Sequence, residues 1–297
     1  MAANGQSAGA GDAVQCEHLA YQFPGQDRPA LIDVSLELPR GSRCLLIGSN
    51  GSGKTTLLTI LAGKRMIKGG AFMSWLGTEW ASNPVVRSDI GVAHFLESVG
   101  GSRHAERRDH LLSLLDVDLR WRMHQISDGE RRRVQLVYGL MSPWEVLLLD
   151  EVTVDLDVLV RSRLLDWLEE ETRTRNVTVL YAVRALLFAS PTLQTHIFDG
   201  LDGWPTHVSH LCLGKTTTPK ALAWPIEGET EDVPASVVAK MDDPHRRGSR
   251  LLELALHWLA VDRGVREKLE ASGELRRRGP EDTRDAKAFF QQYDYSK

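Results

Sequence analysis

Apolar residues fall along this chain in two distinct rhythms. Residues 16–23 and 31–38 alternate apolar and polar positions with a period of two, which predicts a pair of strands at the edge of a sheet. The runs Arg43-Cys44-Leu45-Leu46-Ile47, Val146-Leu147-Leu148-Leu149 and Val177-Thr178-Val179-Leu180-Tyr181 are nearly continuous, the pattern of parallel strands buried on both faces. A helical period begins at Thr56 and returns over residues 93–99, 105–115 and 129–141. The last three lie within residues 84–143 and predict a helical subdomain inserted between strands. The expected fold is α/β, with a mostly parallel sheet, an antiparallel β edge and that helical insertion. After Gly214 the pattern changes. Residues 216–244, rich in Thr, Pro and acids, predict an irregular arm. An amphipathic helix over about 250–272 follows, with Leu252, Leu256, Leu259 and, more loosely, Val265 on one stripe. It is expected to pack on its own domain, and a partner-docking role is the alternative. Residues 276–297 are highly charged and predict a frayed end.

Composition narrows the class without naming it. The 297 residues are 42% hydrophobic and 26% charged, ordinary values for a globular protein. A net charge of −4 gives no reason to expect direct nucleic-acid binding. Cys16, Cys44 and Cys212 show no metal or redox spacing, which fits a reducing, cytoplasmic or nuclear setting. No run approaches the ~18 apolar residues of a membrane span, so direct membrane insertion is not expected. Residues 1–12 are small and polar and predict a disordered leader.

The chemistry concentrates in Gly48-Ser49-Asn50-Gly51-Ser52-Gly53-Lys54-Thr55. This is the G-x-x-x-x-G-K-[ST] pattern, set between a buried strand and a helix beginning near Thr56. Glycines let backbone N–H groups close on a β-phosphate, at a helix N-terminus that favours negative charge. Lys54 supplies a cation for the β- and γ-phosphates, and the Thr55 hydroxyl suits Mg²⁺. A nucleoside triphosphate ligand follows. Roughly 95 residues later a second buried strand ends in Asp150 and Glu151. Asp150 is placed to hold Mg²⁺ through water, and Glu151 to polarise the attacking water.

Between these elements lies Ser127-Asp128-Gly129-Glu130-Arg131-Arg132-Arg133, which resembles the ABC ATPase signature of Ser-Gly-Gly-Gln and a basic helix. Asp128 replaces a glycine and Glu130 the glutamine. The runs Trp121-Arg122-Met123-His124, Leu149-Asp150-Glu151-Val152-Thr153-Val154-Asp155-Leu156-Asp157 and Thr195-His196-Ile197-Phe198-Asp199-Gly200-Leu201 are similar to one branch of that superfamily. It is the soluble, single-cassette branch of the CCR–NOT-associated ABC ATPase of yeast and the plant I-subfamily. The likeness covers about residues 13–214, with residues 215–297 as a C-terminal extension. It implies a P-loop nucleotide-binding domain that hydrolyses Mg-ATP as a head-to-tail dimer with a second copy or a related cassette. It also implies a trans cap from Ser127–Glu130, a dimer-crossing D-loop at Asp155 and Asp157, and a γ-phosphate contact from His196. Phe23, with Tyr21 as the alternative, falls where the family stacks an aromatic ring on adenine; an ordinary core aromatic is the other reading. On charge alone the three arginines read as a nucleic-acid patch, but arginines after the signature are usual in this family. A regulatory link to the CCR–NOT complex is implied as a partner.

Two departures from the family pattern stand out. No glutamine occurs between Gln26 and Gln125, although the family carries one that reaches the metal and the attacking water. The matching segment is Trp75-Leu76-Gly77-Thr78-Glu79-Trp80, where Thr78 or Glu79 would have to serve. The other departure is an apparent insertion of 12 residues, Val183 to Gln194, before His196. It fits either a retained intron of 12 codons or a genuine loop. These departures keep two alternatives open: a nucleotide-sensing interaction module with little turnover, and a transport ATPase with separate membrane chains. The missing glutamine segment argues against the transporter.

Overall fold

The computed structural model describes residues 11–63, 73–76, 84–153, 155–184, 198, 200–243 and 249–275. These form two compact units, one reaching Leu259 and one beginning at Ala260.

The predicted strands join others in a mixed sheet of nine among the described residues. They are β1 Val14–Tyr21, β2 Leu31–Leu38, β3 Arg43–Gly48, β4 Met73–Leu76, β5 Val146–Asp150, β6 Thr178–Arg184, β7 His207–Cys212, β8 Lys215–Thr216 and β9 Leu222–Ala223. The order is β1-β2-β8-β7-β3-β6-β5-β4, with β9 on β7. β3 lies at the centre, parallel to β6 on one side and β7 on the other. β5 pairs parallel with β6 and β4. β1 and β2 pair antiparallel, as the alternation predicts.

Burial on both faces of the central strands follows from their unbroken apolar runs. Leu45 and Ile47 of β3 face one core layer and Cys44 and Leu46 the other, all fully buried. Helix α1 (Lys54–Leu61) covers the second layer through Leu57, Leu58 and Ile60. The first layer is covered by α4 (Asp128–Met141) and α5 (Val158–Arg175), with α2 (Val92–Glu97) and α3 (Ala105–Leu114) completing the helical insertion. The limits of α2, α3 and α4 lie close to the sequence expectation, whereas α5 is not anticipated. No helix among the described residues is long and apolar enough to cross a membrane.

Three expectations need correction. β6 runs on through Val183 and Arg184, so the first two residues of the apparent insertion continue the strand. The reason is packing: Val183 is 3% exposed and pairs with Ile47. The remainder of the insertion, from 185, lies outside the described residues, as do His196, Thr78, Glu79 and the charged end 276–297.

The arm after Gly214 is also more regular than its composition suggests. It contributes β8, β9 and helix α6 (Ala235–Met241), and buries Trp224, Ile226, Val233, Val237 and Met241. These segments are too short to show a period, so only their neighbours reveal them.

The third correction concerns α7 (Arg250–Ala271). Its buried face is Leu251, Leu254, Ala255 and Trp258, flanked by Leu252 and Leu259. Leu256 and Val265 from the predicted stripe are both 39% exposed. In a leucine-rich helix two overlapping stripes compete, and the one carrying the large indole wins. Trp258 stacks flat on His210 of β7 at 4.8 Å, so the first half of α7 packs on the sheet of its own unit. The second unit is described to residue 275 and holds the i,i+4 pairs Arg263–Glu267 and Arg266–Glu270.

Asp202 fixes where α7 begins. Its Oδ1 accepts from Ser249 Oγ at 2.6 Å and from Leu251 N at 2.9 Å, and its Oδ2 from Arg250 N at 3.0 Å. A carboxylate borrowed from another segment thus satisfies N–H groups that the helix itself leaves open. Asp202→Ala is expected to destabilise the fold by about 1–2 kcal/mol, the scale of a lost N-cap. Urea unfolding should show a lower midpoint with an unchanged slope.

Candidate functional site

The turn from β3 into α1 is built so that backbone, not side chain, faces the space above it. A β-carbon on Gly48 would lie 2.3 Å from the Leu211 carbonyl oxygen and 2.7 Å from Ser52 Oγ. Gly53 has φ of +108°, and a β-carbon there would lie 2.7 Å from Leu31. Neither position admits another residue without displacing its neighbours. Gly53 caps α1 without a side-chain hydrogen bond, and the first turn of α1 carries no acid. No capping side chain therefore competes with an anion at this helix N-terminus. Lys54 is buried at 6% exposure, its Nζ donating to the carbonyls of Gly48 (2.8 Å) and Ser49 (3.1 Å). The ammonium thus braces the turn from within.

This turn opens on a cleft of about 340 Å³ lined by Ala30, Asn50, Gly51, Gly53, Lys54, Thr55, Thr56 and Glu151. The sheet brings Glu151 there: β5 ends at Asp150, one strand removed from β3, and Glu151 follows with φ of +55°. Its N–H donates to the Ala182 carbonyl of β6 at 3.2 Å. Asp150 is 1% exposed. Ala30, which sequence reasoning missed, enters because β2 starts beneath Gly53; a β-carbon on Gly53 would also lie 3.0 Å from the Ala30 oxygen. Phe23 is half-buried and meets Tyr21 edge to face at 5.2 Å. It is outside the lining of the cleft.

The residues present fit a Mg-nucleotide. Thr55 is exposed in the cleft and Glu151 adds a hard carboxylate to its lining, while Asp150 lies buried beside Glu151, outside the lining. Among the described residues no cluster of three or more His, Cys, Asp or Glu could hold a metal alone. That donor set suits Mg²⁺, which takes one or two protein oxygens and completes its shell with phosphate and water.

The signature segment starts α4. Ser127 is its N-cap: Ser127 Oγ accepts from Glu130 N at 3.3 Å, while Glu130 Oε2 accepts from Ser127 N and from Ser127 Oγ, both at 2.8 Å. Glu130, which departs from the family glutamine, thus completes a capping box. The Ser127 N–H and hydroxyl hold its carboxyl below the usual carboxylate range. The contribution of this cap is present above the unfolded-state pKa and is lost as pH falls through the lowered folded value. Asp128 is exposed and pairs with Arg131, with Arg87 at 3.7 Å.

The arginines after the signature are folded back onto the protein. Arg131 donates to the carbonyls of Met123 and Ile126. Arg132 donates to Gln135 at 2.6 Å and lies 3.6 Å from Asp155. Arg133 pairs with Asp116 at 2.9 Å and lies over the Trp121 ring. Their side chains are only 16%, 7% and 15% exposed, so this run is chiefly internal wiring. In the D-loop segment Asp157 is the N-cap of α5, accepting from Val160 N at 2.9 Å. Thr153 hydrogen-bonds the buried Tyr181 hydroxyl.

Comparison with known proteins agrees with this fold. The family model described as ABC transporter matches residues 31–154. CCR4-associated factor 16 of Saccharomyces cerevisiae is 38% identical over 293 residues, covering 86% of this chain and 97% of that protein. ABC transporter I family member 21 of Arabidopsis thaliana is 42% identical over 224 residues, covering 67% and 74%. A dimeric bacterial ABC transporter cassette superposes with a TM-score of 0.53 at 14% identity, over 69% of this chain and 96% of its own, which shows the shared fold. The chain belongs to the ABC ATPase superfamily, in the branch of the yeast CCR4-associated factor and the plant I-family proteins.

Proposed function

We propose that this chain binds Mg-ATP in the cleft above the β3–α1 turn and hydrolyses it as a head-to-tail dimer of cassettes. The observation that carries this reading is the convergence of Asn50, Gly51, Gly53, Lys54, Thr55 and Thr56 with Glu151 around one cleft. The N-terminal end of α1 and the Lys54 ammonium receive the phosphates. Thr55 and, through water, Asp150 would hold Mg²⁺, which neutralises phosphate charge when bound. Glu151 accepts the proton of the attacking water. Ser127, Asp128, Gly129 and Glu130 would face the nucleotide of the partner cassette, with Asp155 and Asp157 at the crossing. A bacterial cassette of this fold is described as dimeric, which supports the pairing of two cassettes. The part assigned to His196 rests on its sequence alone. A regulatory role linked to the CCR–NOT complex, in the cytoplasm or nucleus, is supported by the name of the yeast relative.

A second reading, nucleotide sensing with little turnover, is favoured by the absence of any glutamine between Gln26 and Gln125. Steady-state ATP hydrolysis by the purified chain, beside Glu151→Gln, separates the two. A rate that Glu151→Gln abolishes supports the enzyme; equal, negligible rates support the sensor.

Lys54→Ala is expected to weaken ATP binding at least about tenfold, the scale of a lost charge-assisted hydrogen bond. Isothermal calorimetry checks this, and unchanged affinity would remove the phosphate-loop assignment. Glu151→Gln, by blocking turnover, should trap an ATP-dependent dimer that elutes early in size exclusion, because nucleotide favours the closed pair by mass action. A strictly monomeric profile at saturating Mg-ATP would contradict the trans cap.

A third expectation concerns charge at the start of α4. Glu130→Gln keeps the capping-box geometry and removes one negative charge from a helix N-terminus that would face a phosphate. In the Glu151→Gln background it should lower the ATP concentration needed for dimerisation, measured by sedimentation. A higher requirement would show that the carboxylate is needed in closure.

A further inference from the structure

Glu151 stands in a backbone conformation that a side chain disfavours. Its φ of +55° lies in the left-handed region, which a residue other than glycine keeps only where its surroundings over-determine it. Two bonds to the neighbouring strand β6 bracket this bend. At its start the Glu151 N–H donates to the Ala182 carbonyl at 3.2 Å. Two residues later, Thr153 Oγ1 is hydrogen-bonded to the Tyr181 hydroxyl, and the two residues are only 5% and 3% exposed. The phenol is itself held in place. Its ring meets Trp204 edge to face with centroids 6.3 Å apart, and Trp204 Nε1 donates to the Leu165 carbonyl of α5 at 2.9 Å. Burial, against the opposing pull of Thr153 and Arg161, raises the Tyr181 hydroxyl above its ordinary range, and the Glu151 charge adds to the rise. The hydroxyl therefore stays neutral, within electrostatic reach of the Glu151 carboxylate. Phenylalanine and valine would fill the same core space without burying two hydroxyls, so packing alone does not call for this pair.

We propose that Tyr181 is a positioning residue for ATP hydrolysis, its hydroxyl fixing the turn of residues 151–153 so that the Glu151 carboxylate is aimed into the cleft. The inference rests on Glu151 being the base, as proposed above. Tyr181 touches neither nucleotide nor attacking water in this scheme; it acts on the carboxylate through Thr153. The β5–β6 pairing fixes where the chain enters the bend, and the Thr153 bond fixes where it leaves. Without the second tie the bend is free to relax out of the left-handed region, and the carboxylate moves with it. A displacement of about 1 Å can cost roughly a hundredfold in rate. The β3–α1 turn does not share this tie, so nucleotide binding is left alone.

The test uses the full chain and compares Tyr181→Phe, Thr153→Val, Thr153→Ser and the Tyr181→Phe/Thr153→Val double variant in steady-state hydrolysis. The kcat of Tyr181→Phe and of Thr153→Val should each fall about tenfold, with KM and calorimetric ATP affinity within about twofold of the parent. Thr153→Ser keeps the hydroxyl and should retain most of the parental rate. The double variant removes both hydroxyls together, so its urea midpoint should lie close to the parent's while its kcat stays as low as in either single variant. In the Glu151→Gln background, Tyr181→Phe should leave the residual single-turnover rate unchanged, because the group it positions is gone. A parental kcat in Tyr181→Phe, a loss that disappears in the double variant, or a further tenfold loss on top of Glu151→Gln would overturn the proposal. If Tyr181→Phe fails to fold, Thr153→Val, which leaves the contact between Tyr181 and Trp204 intact, carries the same prediction and the same refutation. Failure of the base assignment is separately visible: the parent would then show no measurable hydrolysis, or Glu151→Gln would match its rate.

Discussion

Everything in this cassette depends on one strand that water does not reach on either face. β3 is flanked by parallel strands on both sides, and its Cys44, Leu45, Leu46 and Ile47 are completely buried. A strand so enclosed has no freedom to shift, because a slip of one residue would exchange its two core layers. Its end is therefore a fixed point, and the Gly48–Gly53 turn is held there against the Leu211 carbonyl and Leu31. β5 delivers Asp150 and Glu151 to the same edge through β6. The candidate chemistry sits at the carboxyl ends of buried parallel strands, where α/β sheets commonly leave room for a ligand.

Two helix N-termini in the structure are treated in opposite ways. α1 starts without a side-chain cap and without acids, and its dipole is left uncompensated where phosphates are expected. α4 starts with a full capping box and with Asp128 and Glu130 in its first turn. The first is poised for an anion within its own chain. The second is already satisfied, so an anion approaching it meets a helix end whose donors are partly occupied. Arg87 and Arg131 offset the charge of Asp128 but leave Glu130 engaged with Ser127. The substitution of Glu130 for glutamine thus has a structural meaning inside one chain, whatever it does across a dimer.

The phosphate loop, the paired carboxylates and the limits of most strands and helices were legible because each is written in contiguous residues. The Ser-x-x-Glu spacing of Ser127 and Glu130 was equally legible as a capping box. Set against the family pattern it shows only as a departure, although the local signal is present. The predicted stripe of α7 is only half buried, Leu252 and Leu259 but not Leu256 and Val265, for a different reason. Leu252, Leu256 and Leu259 form as good a period as Leu251, Leu254, Ala255 and Trp258, and periodicity cannot rank two faces of one apolar helix. Contact with His210 on β7 ranked them.

The apolar runs alone mark which strands are buried, and the glycine-rich turn and the Asp-Glu pair mark where a phosphate site is proposed. Those properties follow from apolar patterning, glycine conformation and charge within a few neighbouring residues. What the arginines after Gly129 do, which segment caps α7 and how Asp155 meets α4 emerge only once the chain is folded. Each is a contact between residues far apart in the chain: Arg132 with Asp155, Asp202 with Ser249 and Leu251, Gly129 with the Asp155 carbonyl. An isolated arginine run is equally compatible with solvent, nucleic acid or a buried acid. The partner exists only after the sheet has fixed the distance between them, because desolvation and charge pairing act through space and not along the chain.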